Sequence, residues 1–282
     1  MAGTAVRGRL STWQTATVGA VSEETSRVST LRLEVPGWPG SGTGSPGAGE
    51  PDAGEPGAVQ HRAGQHVDVR LTAEDGYQAE RAYSIASAPG EPLAITVERL
   101  DDGEVSPYLT QGARPGDLIE IRGPIGGYFV WEPAFGGPLL LAAGGSGIVP
   151  LRSMLRARSR AGSDVPVRLL YSSRSWAEVI YAGELDFPEE GVQVIHTLTR
   201  SQPPAWAGYA RRVDRQMLAE VAWPPSSAGG GPAGRGPAGG DDGPLAYVCG
   251  PTSFVETVAA GLVALGYPAG RVRTERFGAG GQ

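Results

Sequence analysis

The sequence predicts a two-domain chain: an antiparallel six-stranded β-barrel, then an α/β doubly wound parallel sheet, with the boundary between residues 134 and 135. Between residues 13 and 123, short segments alternate apolar and polar side chains with period two, turn residues separate them, and helical spacing is nearly absent. From Pro138 onward the pattern becomes strand, turn and helix in repetition, as parallel strands joined by crossover helices require. A length of 282 residues, 40% of them apolar, suffices for two cores.

Barrel strands are expected over residues 13–21, 27–35, 67–71, 81–85, 93–99 and 117–122. A helical turn over 106–111 interrupts them, with Ser106 as its cap and Pro107 in the first helical position. In the second half, residues 139–143 form a wholly apolar buried strand. Ile148, Leu151, Met154 and Leu155 then fall at helical spacing, with Arg152, Arg156 and Arg158 turned outward. Further strands are expected at 167–171, 192–198 and 245–249, helices at 177–185, 214–222 and 252–265, and a closing strand at 271–277. Such a sheet presents ligands beyond the carboxyl ends of its strands. Two stretches rich in Gly, Pro, Ala and Ser, at about 37–60 and 224–244, bury too little apolar surface to offset their ordering entropy; they are expected to be mobile insertions without chemistry.

Composition removes several classes of function. A net charge of −6 argues against a general nucleic-acid grip and against a polybasic membrane anchor. Every basic residue is Arg, so amine nucleophiles are ruled out. The single cysteine, Cys249, excludes disulfides, thiolate-held iron–sulfur clusters and structural zinc fingers, each of which needs at least two sulfurs. Residues 1–11 contain no apolar signal region and the run 139–143 is far short of a bilayer span, so a cytoplasmic location is expected. His61, His66 and His196 show no metal-ligand spacing; no metal site is expected, and the three are assigned to solvent or ordinary strand positions. Asp101-Asp102 and Asp241-Asp242 are expected to be solvated turn charges.

Three motifs carry chemistry. Gly144-Gly145-Ser146-Gly147-Ile148-Val149-Pro150 follows a buried strand and opens a helix, where free N–H groups and the helix dipole favour a pyrophosphate; a merely tight connection has the same appearance. Arg81-Ala82-Tyr83-Ser84 offers a phosphate clamp, a stacking ring and a hydroxyl, or is an ordinary half-buried strand. Cys249-Gly250-Pro251 closes a buried strand where a doubly wound sheet presents its chemistry, although a lone buried Cys is commonly a small hydrophobe.

Together with Gly103-Glu104-Val105-Ser106 and Gly123-Pro124-Ile125-Gly126-Gly127-Tyr128-Phe129, and in this order, these motifs resemble the ferredoxin–NADP reductase-like flavoprotein superfamily across nearly the whole chain. The resemblance implies an FAD-binding barrel over 1–134 and an NAD(P)-binding α/β domain over 135–282. It implies that Arg81, Ala82 and Tyr83 hold the flavin, that Ser84 hydrogen-bonds its N5 edge, and that Gly103, Val105 and Ser106 receive its pyrophosphate, with Val97 in the same set. FAD is implied over FMN. On the other side it implies that Gly145, Ser146 and Gly147 hold the nicotinamide nucleotide's pyrophosphate, and that Cys249, Gly250 and Pro251 lie beside its ring. Cys249 and Ser84 are then positioning groups rather than nucleophiles, because hydride passes directly between the two rings. Thr274-Glu275-Arg276-Phe277-Gly278 resembles the family's closing segment, in which Glu275 relays a proton or is simply an exposed carboxylate.

Donor and acceptor follow from the same resemblance. Ser173 and Arg174 after the second parallel strand, with no acid before Glu178, and Thr199 and Arg200 after the third, suit a 2′-phosphate, unless both arginines are solvated loop charges in a sequence that uses Arg for every positive role; NADPH is expected over NADH. Some relatives continue into a four-cysteine ferredoxin domain; with one cysteine and five residues after Phe277, electrons are expected to leave for a separate protein, a ferredoxin or flavodoxin. The alternatives are an NADH-using oxygenase reductase component and a flavin-containing electron-transfer subunit of a fixed complex.

Overall fold

Period-two alternation in the first half builds one antiparallel sheet from β1 (Gln14–Thr25), β2 (Val28–Glu34), β3 (His66–Thr72), β4 (Gln78–Ser84), β5 (Ala94–Glu98) and β6 (Leu118–Ile125). The computed structural model describes residues 12–38, 60–225 and 243–277; the two predicted insertions, apart from their borders, and Asp241-Asp242 lie outside the described residues. Strand order is β4-β3-β6-β1-β2-β5, and an antiparallel bridge from Ile85 to Ile95 joins the two edges into a barrel. Val18, Leu31, Leu33, Val67, Val69, Ile95 and Ile121 fill its interior, and Leu109 plugs one end from a single π-helical turn, Tyr108–Gly112. Ser106 does not cap that turn. The winding already includes Ser106, whose Oγ accepts the Leu100 N–H at 3.0 Å and so closes the 100–106 loop.

The second half runs β7 (Leu139–Gly144), α1 (Ile148–Arg160), β8 (Val167–Ser173), α2 (Ala182–Leu185), β9 (Val192–Leu198), α3 (Arg215–Val221), β10 (Leu245–Pro251), α4 (Thr252–Ala264) and β11 (Val272–Phe277). Its five strands are all parallel, in the order β11-β10-β7-β8-β9. Along β7, Leu139, Leu141 and Ala143 pack toward α1, while Leu140 and Ala142 pack toward α3 and α4, so both faces are covered. No helix among the described residues is long and apolar enough to cross a membrane.

Two local expectations are corrected. The helix over 177–185 shrinks to a 3₁₀ turn at Trp176–Glu178 and the single turn α2, because Tyr181 between them is left-handed (φ 62°, ψ 30°) and a right-handed helix cannot pass through it. Arg158 does not face solvent: it is buried, and its guanidinium donates to the carbonyls of Val165 at 2.7 Å and Glu190 at 3.0 Å.

The halves share a core. Ala63, Ala86, Phe129 and Trp131 of the barrel side join Leu151, Met154 and Tyr247 in one cluster. Polar groups lock the same seam: the Ser153 hydroxyl donates to the Ser87 carbonyl at 2.7 Å and Tyr247 to the Val130 carbonyl at 2.7 Å. His61, expected at solvent or in a strand, is buried here with Nε2 3.1 Å from the Ser87 carbonyl; since a carbonyl only accepts, Nε2 carries the proton.

Candidate active site

The seam brings together the ends of β4, β10 and β11. Cys249 on β10 is the register partner of Glu275 on β11. Burial, with Glu275 adding to it, pushes the Cys249 thiol well above its ordinary value, so the sulfur is a neutral thiol. Burial also raises the Glu275 carboxyl to about 7. Ser84, at the end of β4, reaches Glu275 from the barrel side: its hydroxyl stands close enough to favour the carboxylate, yet it makes no hydrogen bond of good geometry and is left as a buried, unpartnered polar atom. His66 is the cross-strand partner of Ser84 on β3 and so shares its face; burial holds its imidazole below the ordinary value.

The turn Gly145–Gly147 between β7 and α1 packs against β5, β8 and β10, and thus sits between the two halves. Gly145 is left-handed (φ 54°) with open space where a side chain would point, whereas a Cβ on Gly147 would collide with the carbonyl of Cys249. One glycine therefore leaves backbone accessible to a ligand, and the other lets the strand ends interlock. Half-buried Ser146 lies between them, and Gly250 and Pro251 close against Gly144.

On the barrel rim, the exposed Arg81 guanidinium donates to Glu104 at 2.8 Å and to the Glu80 carbonyl at 2.7 Å. Tyr77 also donates to Glu104, at 2.5 Å, and this bond first, then Arg81, holds the Glu104 carboxyl below its ordinary value. The link ties the Gly103–Ser106 loop to β4; Glu104 and Tyr77 lie 23 and 4 residues from Arg81, with no local sequence pattern to pair them. Ala82 is exposed beside Arg81, and Tyr83 packs half-buried against the barrel core. The side chains of Val97 and Val105 are sealed in the barrel interior, which leaves their main chains to a ligand.

A third group forms at the carboxyl ends of β8 and β9. The Thr199 N–H donates to the Ser173 carbonyl at 2.9 Å and the Arg200 N–H to the Arg174 carbonyl at 2.8 Å, which zips the two loops together and places Arg174 beside Arg200. Both side chains are exposed, and Ser173 Oγ is buried, close enough to the Tyr171 hydroxyl to interact with it but without a hydrogen bond of good geometry. Glu178, distant enough in sequence to be set aside, is folded back by its 3₁₀ turn: it accepts from Ser175 Oγ at 3.1 Å and lies 3.9 Å from Arg174. His196 packs under Trp176, with ring centroids 5.2 Å apart. Asp101 is an exposed turn charge, as expected, and also ion-pairs with Arg27 at 3.0 Å and Arg99 at 3.1 Å.

Buried hydroxyls without a well-formed hydrogen bond at Ser84 and Ser173, and open backbone at Gly145, leave polar groups that fit bound ligands. Residues 54–130 match the family described as oxidoreductase FAD-binding domain, and residues 141–260 match the oxidoreductase NAD-binding domain. Fold and site thus define an FAD-dependent oxidoreductase that also binds a nicotinamide nucleotide. Ferredoxin–NADP reductase B of Sorangium cellulosum is 35% identical over 226 residues, spanning 76% of this chain and 84% of the relative. The glycine betaine monooxygenase reductase subunit of Chromohalobacter salexigens is 28% identical over 77% of this chain, and this chain matches 56% of it. The fold is shared with the FAD/NAD-binding domain of Vibrio cholerae nitric oxide dioxygenase (TM-score 0.73, 23% identity, 94% of this chain and 98% of that one). It is shared too with a Neisseria gonorrhoeae ferredoxin NADP+ reductase (TM-score 0.70, 20% identity, 94% and 98%). The chain belongs to the ferredoxin–NADP reductase-like flavoprotein superfamily.

Proposed function

We propose that this protein takes a hydride from NADPH onto FAD and passes single electrons to a separate acceptor protein of the ferredoxin or flavodoxin type, in the cytoplasm. The observation that carries it is the convergence of Ser84, Cys249 and Glu275 at the seam beside the Gly145–Gly147 turn. In this reading residues 1–134 are the flavin unit and 135–282 the nucleotide unit.

FAD, when bound, supplies the step from a two-electron donor to a one-electron acceptor. The chain's own residues bind and orient. Arg81, with the main chain of Ala82, Tyr83, Val97, Gly103, Val105 and Ser106, holds the flavin, and Ser84 fixes its reactive edge. Gly145, Ser146, Gly147, Gly250 and Pro251 hold the nucleotide, and Cys249 fills the space beside its ring. Glu275, its carboxyl raised by burial to about 7, can hold an exchangeable proton. Arg174 and Arg200 offer a 2′-phosphate two guanidinium groups; of the neighbouring hydroxyls, Ser173 Oγ is buried and Thr199 Oγ1 already donates to the Ser173 carbonyl at 3.2 Å.

The Sorangium reductase supports a ferredoxin-type acceptor. A second reading, an NADH-using reductase component of an oxygenase, is favoured by Glu178 beside Arg174, where a carboxylate suits ribose hydroxyls, and by the monooxygenase reductases among the relatives. Anaerobic titration of the purified yellow protein with NADPH, then mixing with an isolated ferredoxin, separates them. Bleaching and rapid ferredoxin reduction support the first, and bleaching by NADH with transfer only to a cognate partner supports the second. A colourless protein that binds no flavin overturns both.

A further inference from the structure

Tyr181 holds a backbone conformation that side-chain-bearing residues adopt only when their surroundings over-determine it. Those surroundings come from both halves. The ring is 4% exposed, and Arg152 of α1 lies over it at 4.2 Å. The same guanidinium reaches Glu184 at 2.7 Å and the barrel carbonyl of Ala86 at 3.3 Å. Next along α1, Arg156 joins Glu184 to the barrel's Glu91, each at 3.1 Å. From the ring's far end the hydroxyl donates to Thr96 Oγ1 on β5 at 2.5 Å. Thr96 in turn lies 2.8 Å from its register partner Thr30, and Thr30 donates to Glu24 at 2.7 Å. Because the Glu24 carboxylate only accepts, every proton in the row is directed: Tyr181 to Thr96, Thr96 to Thr30, Thr30 to Glu24.

A buried ring that served packing alone needs no hydroxyl. A directed hydrogen-bond row fixes orientation, whereas apolar contacts allow sliding. The strand it grips is the one that forms the seam: the Gly145–Gly147 turn packs against β5, and β5 is bridged to Ile85, next to Ser84. We propose that Tyr181, through Thr96, is a positioning residue for hydride transfer, bolting the α/β half to the barrel so that the nucleotide turn and Ser84 stay in register. This rests on the function proposed above.

The test uses the FAD-loaded full chain and stopped-flow reduction by saturating NADPH under anaerobic conditions. Tyr181→Phe keeps the ring and removes the row's first donor; Thr96→Val removes its acceptor from the barrel side. Each is expected to lower the limiting reduction rate by about tenfold or more, as misplacement of reacting groups does. The long-wavelength flavin–nicotinamide charge-transfer absorbance should weaken, the dissociation constants of FAD and NADPH should hold, and the double variant should be no slower than the slower single one. Unchanged rate and absorbance in both variants, or a rate loss matched by loss of FAD, overturns the proposal. If Tyr181→Phe does not fold, Thr96→Val decides alone. Failure of the wild-type flavin to be reduced by either nucleotide counts against the function itself, not the bolt.

Discussion

Cys249 and Glu275 stand opposite one another on adjacent parallel strands, and burial drives both acids toward their neutral forms. A carboxyl raised from 4.5 to about 7 keeps in the native state a proton that the unfolded chain has lost. Its contribution to folding is therefore complete below the unfolded value and disappears as pH rises through the folded one. Wild-type protein is expected to lose thermal stability between pH 4.5 and 7 more steeply than Glu275→Gln. Melting temperatures taken across that interval check this, and parallel curves for the two proteins would refute it.

Because the Cys249 thiol is buried and neutral, it is expected to resist iodoacetamide in the native protein and to react fully once the chain is unfolded. In its proposed positioning role, Cys249→Ala should retain FAD and slow flavin reduction by NADPH, by about tenfold on the scale of a misplaced ring. Labelling stoichiometry and stopped-flow absorbance measure the two effects. An unchanged reduction rate would remove Cys249 from the site.

Both sheets were legible in the sequence because their signals are local. The apolar run 139–143 and the helical spacing of Ile148, Leu151 and Met154 predict a buried strand and its crossover, and both form, as Leu139–Gly144 and Ile148–Arg160. What escaped depends on distant partners. The sequence predicts a helix over 177–185, yet Tyr181 is left-handed there, with its hydroxyl bonded to Thr96, 85 residues away. Glu104 joins Arg81 across 23 residues, and Glu178 returns to Arg174 only because the chain turns at Trp176. Arg158 looked like a surface charge because its acceptors are main-chain carbonyls, which no sequence pattern marks. Side-chain direction was likewise invisible at Val97: one strand position decides whether a residue faces the seam or the barrel interior.

The two glycines of the nucleotide turn should fail differently. A methyl group on Gly147 meets the Cys249 carbonyl, which belongs to a buried strand and cannot yield, so Gly147→Ala should cost at least about 3 kcal/mol, the upper end for overpacking. A methyl on Gly145 meets open space, and Gly145→Ala should cost only about 1–2 kcal/mol for the left-handed backbone. Urea unfolding of both variants measures the difference. Equal losses would show that the Gly147 approach to Cys249 is not the constraint described.

In the proposed reading, nucleotide preference rests on Arg174 and Arg200, both exposed on one zipped loop pair, with Glu178 3.9 Å from Arg174. A guanidinium on a 2′-phosphate makes a charge-assisted hydrogen bond of about 1.5–3 kcal/mol, so Arg200→Ala should lower kcat/KM for NADPH by about 10- to 100-fold while leaving NADH nearly untouched. Glu178→Gln should act in the opposite direction, since it removes an anion that repels the phosphate and occupies Arg174. Steady-state kcat/KM for both nucleotides, in the wild type and the two variants, settles the sign. If wild-type protein uses NADH as well as NADPH, and Arg200→Ala lowers both alike, the two arginines are ordinary loop charges and the 2′-phosphate reading fails.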